Sequence, residues 1–314
     1  MKRLSTELQT KFWSKIMAID KMFYNEASAY KLGWDPTWFG HDAYDEKLVR
    51  IIRNWQKERG LTSDGLCGAG TFRILFNERD AEISDYVSPN YDNDGQARIV
   101  YNGNEFPIEW DKTVLWTDKG GLMAKLGAYR SQAGKKPRKI TQFINHWDVC
   151  TSSKTCQRIL DNRGISVHFL IDNDGTIYQT MDLQHIGWHA GISKINNLSV
   201  GVEISNAFYP KWQQWYKKHG FGERPVVTDA EVHGKKLETH LGFYPVQLEA
   251  LKALWKAINL ACGVPLETMT GDAKKRYDST AASGKFKGFL SHYHVKKTKI
   301  DCAGLDIEKL LGEI

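Results

Sequence analysis

The chain has 314 residues, 41% of them hydrophobic and 25% charged, with a formal charge of +6 and a pI near 8.9. These values exclude a disordered or fibrous chain, and no apolar run approaches the ~20 residues that a bilayer span requires, so we expect no membrane insertion. The basic balance favours anionic partners, but Lys and Arg are scattered apart from pairs such as Lys135-Lys136 and Lys296-Lys297, which argues against a nucleic-acid partner.

The first segment, MKRLSTELQTKFWSKIM, has basic residues without the apolar core of a secretory signal. We therefore expect synthesis in the cytoplasm and export by another route. LQTKFWSKIMAIDKMF sets Leu8, Phe12, Ile16, Ile19 and Phe23 at helical spacing. YDEKLVRIIRNWQKERG repeats the pattern with Leu48, Ile51, Ile52 and Trp55 and stops at Gly60. LTSDGLCGAGTFRILF follows, with Asp64-Gly65 suited to a turn and Thr71 to a helix cap. Residues 81–95 are rich in Ser, Asp, Asn, Pro and Gly and read as a linker between domains 1–80 and 96–314.

ARIVYNGNEFPIEW reads as two short strands around Asn102-Gly103. LMAKLGAYR and the basic GKKPRK lead into the apolar run QFINH, which ends on His146. SSKTCQRILDNRG, capped by Ser152 or Ser153, reads as a helix. SVHFLI carries His168 and joins TIYQ through the hairpin signal Asn173-Asp174-Gly175. In SVGVEISN the period is two: Val200, Val202 and Ile204 share one face, and Gly201, Glu203 and Ser205 the other. Glycine and serine beside Glu203 leave room for a ligand. Trp212, Trp215, Tyr216, Phe221, Phe243 and Tyr244 then mark a long aromatic excursion, either a satellite core or the lining of a groove. His219, His233 and His240 within it read as ordinary surface or satellite-core histidines. PVQLEALKALWKAINLACGVP is a strong helix between Pro245 and Gly263, and FKGFLSHYH is the last strand. The five cysteines, Cys67, Cys150, Cys156, Cys262 and Cys302, are few and odd in number, which points to reduced thiols.

INHWD, GISVHFLIDNDGTIYQ, IGWHAG, NNLSVGVEISN and LSHYHVKKTKIDCAG, in that order, resemble the zinc-dependent N-acetylmuramoyl-L-alanine amidases of the phage-lysozyme and peptidoglycan-recognition-protein type over roughly half the chain. The resemblance implies an α/β fold with a mixed central β-sheet flanked by helices and a Zn2+ cofactor. It also implies cleavage of the amide between N-acetylmuramic acid and L-alanine of the stem peptide. Carried onto this sequence, the metal ligands are His146, His292 and Asp301, with His294 and Cys302 as the competing register. Glu203 takes the place of the family's general base and acid, and Lys299 that of its oxyanion stabiliser. Trp188, His189, His168 and Asn206 stand on the substrate side, His168 facing the cleft or packing beneath it. The chain departs from the family at Val167, where some phage members have a tyrosine, and after the third ligand, where Cys302-Ala303 or Ala303-Gly304 replaces proline-glycine. Peptidoglycan recognition proteins carry a disulfide spaced like Cys150 and Cys156, so a disulfide and two buried thiols both stay open.

Gln56, Gly60-Leu61, Asp64-Gly65, Gly68 and Thr71 are similar, in order, to the small all-α three-helix peptidoglycan-binding module. Together the two resemblances imply a modular, monomeric phage endolysin whose partner is bacterial peptidoglycan and which acts on the wall after release. A non-catalytic wall-binding relative and a cytosolic enzyme recycling wall fragments are the alternatives.

Overall fold

The computed structural model describes residues 19–83, 86 and 97–314. They fall into two compact units, one ending at Arg79 and the other running from Asp80 to Ile314. Leu8, Phe12 and Ile16 lie outside the described residues, as does most of the expected linker, of which residues 81–83 form the end of a helix. No described helix is long and apolar enough to cross a membrane.

The first unit contains helices α1 (Lys21–Leu32) and α2 (Glu46–Glu58) and, as far as Arg79, α3 (Ala69–Ile83). Asp20 caps α1 by accepting from the Met22 and Phe23 amides, and Asp45 caps α2 through the Leu48 amide. The buried side of α1 is Asn25, Ser28, Ala29 and Leu32. Ile19 and Phe23, expected on the apolar face of a helix that begins upstream, are 58% and 70% exposed; Ile19 lies before α1 and Phe23 in its first turn. In α2, Leu48 and Ile52 are fully buried, as their spacing requires, and Ile51 and Trp55 partly so. The unit turns on Gln56, whose side chain is buried. Its amide nitrogen lies 2.9 Å from Asp64 Oδ1, 3.0 Å from the Leu66 carbonyl and 3.1 Å from Thr71 Oγ1, and its oxygen accepts from the Gly65 amide at 2.8 Å. Thr71 therefore does not cap α3, which begins at Ala69; it sits in the first turn and meets Gln56. Gly65 has φ +78°, and a Cβ there would lie 2.8 Å from Val49 Cγ1.

The second unit is built on a six-stranded sheet: β1 (Thr113–Leu115), β2 (Gln142–Trp147), β3 (Phe169–Ile171), β4 (Ile177–Gln179), β5 (Ser199–Ile204) and β6 (Gly288–Ser291). Their spatial order is β6-β2-β5-β3-β4-β1. All neighbours are parallel except the β3–β4 hairpin, so the sheet is mixed, as expected. The hairpin turns through Asn173-Asp174-Gly175, with Gly175 at φ +82°. Arg98–Tyr101 and Asn104–Pro107 pair as a separate hairpin through Asn102-Gly103.

Alternation along the strands divides the interior. Helices α4 (Ser153–Arg163) and α5 (Ser193–Leu198) lie between strands of the sheet in chain order. Phe143, Phe169, Val200, Val202, Ile204 and Phe289 face one way and pack on helix α6 (Pro245–Cys262) through Leu251, Leu254, Trp255 and Ile258. A smaller cluster of Ile144, Ile195, Leu290 and Val295 lies on the other face. The aromatic excursion forms a satellite core: Ala207, Tyr216, Leu241 and Tyr244 are buried, with Trp212, Trp215 and Phe221 against them. Buried Arg224 lies 4.4 Å from the Tyr216 ring and 4.3 Å from the Tyr244 ring and donates to the Gly242 carbonyl and Asn173 Oδ1.

Replacing Gln56 by alanine strips the Gly65 amide and Asp64 of a buried partner, at about 2–3 kcal/mol for the first unit. Urea unfolding of the full chain should show that unit's transition moving to lower urea while the second unit's stays in place.

Candidate active site

Parallel register carries chemistry to one end of the sheet. On β2 and β5, His146 and Glu203 are directly paired, so their side chains share the face opposite α6. Beyond the Asn145–Ser291 pair of β6, the chain enters the short helix α7 (His292–Val295), whose first residue comes level with His146. The site thus forms at the carboxyl ends of adjacent parallel strands, where open α/β sheets place their ligands. Trp255 Nε1 donates to Asn145 Oδ1 at 3.3 Å, and Asn145 Nδ2 to the Leu290 carbonyl at 3.0 Å, which ties β2 both to α6 and to β6.

His146 Nδ1 lies 2.9 Å from His292 Nδ1 and 3.1 Å from Asp301 Oδ2, and His292 Nδ1 lies 2.9 Å from the same oxygen. All three side chains are buried. One proton cannot satisfy three mutually touching lone-pair atoms, whereas a cation can. Ligands at ~2.0–2.2 Å from a tetrahedral zinc stand ~3.3 Å apart, close to this triangle. The outer nitrogens are also engaged. His292 Nε2 donates to the Ala190 carbonyl at 3.1 Å, and His146 Nε2 meets His189 Nδ1 at 3.0 Å. Burial, with His292 alongside, pulls the His146 pKa down to about 4 against the pull of Asp301. Burial alone would raise Asp301, but His292 and His146 hold its carboxyl well below the usual range. Neutral imidazole and ionised carboxylate are the forms that bind metal.

The competing register is not assembled. His294 accepts from the Ser291 amide at Nδ1 (2.9 Å) and donates from Nε2 to the Lys274 carbonyl (3.0 Å). Cys302 is buried within the main core, and burial, with Asp301 nearby, pushes its thiol pKa well up. Asp148, Cys150 and Cys156 form a second close group, but both cysteines are free thiols, so the disulfide alternative is not what the structure holds. Asp148 Oδ1 there accepts the Cys150 and Asn206 amides.

Of the residues expected on the substrate side, Trp188 is 39% exposed beside the site. His168 has no exposed surface. Its Nδ1 accepts from the Gly201 amide and its Nε2 donates to the His185 carbonyl, so it packs beneath the cleft. Asn206 is also fully buried, donating to the Leu241 and Gly242 carbonyls and accepting from the Phe208 amide; it fixes the start of the excursion and has nothing left for a substrate. His189 sits behind His146, both of its ring nitrogens in contact with protein groups. Lys299 is half-buried on the loop before Asp301, and its positive charge reaches His146. Its carbonyl accepts from His233 Nε2 at 3.0 Å, while His233 Nδ1 accepts from the Tyr277 amide. Sequence reading gave His233 no such role, and nothing in its neighbours signals one. Arg138, hidden in the basic run GKKPRK, was missed in the same way. Its guanidinium donates to the Leu183, Asn196, Asn197 and Ser199 carbonyls and so anchors the entry to β5.

Burial also lowers His294 to about 4, against 6.5 for a free imidazole. Between those values the unfolded chain binds the extra proton, so acidification from pH 6.5 toward 4 removes stability, on the order of 3 kcal/mol from this group. A histidine-resolved NMR titration should find its ring neutral down to about pH 4, with urea midpoints falling over the same window.

The family model described as N-acetylmuramoyl-L-alanine amidase matches residues 136–301, just over half of the chain. No curated protein matches. Among solved structures, the chain is similar to the amidase AmiD from E. coli in complex with a substrate, at 22% identity and TM-score 0.31, over 46% of this chain and 52% of that one. The chain thus spans about half of the AmiD length. It is also similar to the endolysin amidase LysCS from Clostridium intestinale (15% identity, TM-score 0.37, 64% and 93% of the two chains). A third is AmpDh3 from Pseudomonas aeruginosa in complex with anhydromuramic pentapeptide (16%, 0.36, 61% and 66%). At such scores the structural likeness adds no weight, and the assignment rests on the sequence match, which encloses His146, Glu203, His292 and Asp301. The chain belongs to the N-acetylmuramoyl-L-alanine amidase family.

Proposed function

We propose that this protein is a zinc amidase that hydrolyses the bond between N-acetylmuramic acid and the L-alanine of the peptidoglycan stem peptide. The observation that carries the reading is the buried triangle of His146, His292 and Asp301 beside Glu203, in a chain of this family. Zinc held by those three side chains supplies the Lewis acidity that polarises an amide carbonyl and activates water near neutral pH. The remaining work falls to the chain's own groups. Glu203, level with His146 on the next strand, takes a proton from the attacking water and returns it to the leaving nitrogen. Lys299 offsets the oxyanion charge, and the exposed ring of Trp188 offers the glycan or peptide an apolar platform. Burial on the sheet face keeps bulk water from competing with these contacts.

The first unit is proposed to hold the enzyme on the wall polymer and so raise local substrate concentration. Support comes from the order of Gln56, Asp64-Gly65 and Thr71, which the fold joins in one hydrogen-bonded knot. A phage-type lysin, made in the cytoplasm and acting at the wall, is the setting that matches both halves.

Purified protein incubated with sacculi should release L-alanine amino termini without new reducing sugar ends, and a chelator should stop it. Reducing ends without free amines would mean a glycosidase and sink the reading. Among folded variants, Asp301→Ala should lose zinc in metal analysis, while Cys302→Ser should keep metal and most activity. Lys299→Ala should stay loaded but fall roughly 100-fold in kcat. A zinc-free Cys302→Ser beside a loaded Asp301→Ala would reverse the ligand assignment.

A further inference from the structure

Resting on the metal reading above, we infer that His189 is a positioning residue of the metal centre, the middle member of a relay from Ser199 through His189 to His146. The direction of the relay is fixed at its far end. Ser199 Oγ donates to the Ile195 carbonyl at 2.7 Å, so it offers His189 Nε2, 3.3 Å away, only lone pairs. The His189 proton therefore sits on Nε2. Its Nδ1 then carries a lone pair, 3.0 Å from His146 Nε2, and accepts the proton that His146 bears there. The lone pair of His146 is thereby left on Nδ1, the atom that faces His292 and Asp301. Each tautomer follows from the one before it, and the whole chain is set by a backbone carbonyl.

Steric evidence agrees with this order. The His189 ring stands nearly perpendicular to His146, at 85°, with centroids 5.2 Å apart. It reaches that place across β5 only because position 201 is glycine. A Cβ on Gly201 would lie 2.6 Å from His189 Nδ1 and 2.8 Å from its Cε1. The adjacent Trp188 points outward and is 39% exposed, so the dipeptide divides its labour: the indole serves the cleft and the imidazole serves the metal ligand.

The test is zinc affinity of the full-length protein, measured by competition with a chromophoric chelator on variants that melt cooperatively. His189→Ala should weaken zinc by about 10–100-fold. His189→Asn, whose Oδ1 takes the position of Nδ1 as acceptor, should recover to within about threefold of wild type, because the outer bond to His146 is kept. Gly201→Ala should resemble His189→Ala. Wild-type affinity in His189→Ala, or equal losses in the Ala and Asn variants, would overturn the relay. Should the alanine variant not fold, ring-nitrogen NMR of the wild type decides: Nε2–H on both His189 and His146 supports the relay, and Nδ1–H on His189 overturns it. A wild type with no zinc affinity counts against the metal reading, and the relay is still judged from those tautomers.

Discussion

Two imidazoles and a carboxylate held within about 3 Å of one another, out of water, set the terms for the rest of the second unit. Left alone, such a cluster destabilises the fold, since burying polar atoms without full partners costs free energy. It persists because both histidines are fixed from behind. Parallel register aligns β2 with β5 and β6, the Trp255–Asn145 bond ties β2 to α6, and the Ala190 carbonyl and His189 take the outward protons of the two histidines. Preorganisation of this kind lets a site bind a small ion without rearranging.

The segment Trp188–Gly191 is the most economical part of this arrangement. Four residues provide an exposed ring, an imidazole partner for His146 and a carbonyl partner for His292. Asn196 Oδ1 in turn accepts the Ala190 amide, and Arg138 donates to the Asn196 carbonyl. On the opposite rim, His233 couples the excursion to the Lys299 loop. The long excursion is thus a brace for the site, with its own aromatic core and a buried arginine to hold its shape.

Much of this was legible in the chain. Period-two alternation gave the faces of β5, and the Asn-Gly and Asp-Gly pairs gave both hairpins. The order of Gln56, Asp64-Gly65 and Thr71 was read as a resemblance, and the bonds that join them to one side chain appear only in the fold. Other features were not. Nothing in the chain marks His294 as a residue that binds the Ser291 amide and the Lys274 carbonyl. Ile19 and Phe23 have helical spacing, yet the helix starts only after Asp20, and α1 buries the side of Asn25, Ala29 and Leu32 instead of Phe23. Ser199, Gly201 and His189 look unrelated in sequence, because the contacts among them form only when β5 runs beneath the loop.

The separation of the ligands along the chain has a consequence for how the protein comes into being. His146 and His292 are 146 positions apart, and they meet only when β6 docks on the edge of the sheet. The contacts of Gln56 span at most 15 positions, and those that tie Asn25 to Gly65 and Cys67 span 40 and 42, so the first unit closes far shorter loops. Local contacts close quickly and long loops slowly. During synthesis the first unit can therefore be complete while the cluster around His146 still lacks His292 and Asp301. The cluster of His146, His292 and Asp301 exists only once β6 and the segment after it have joined the sheet.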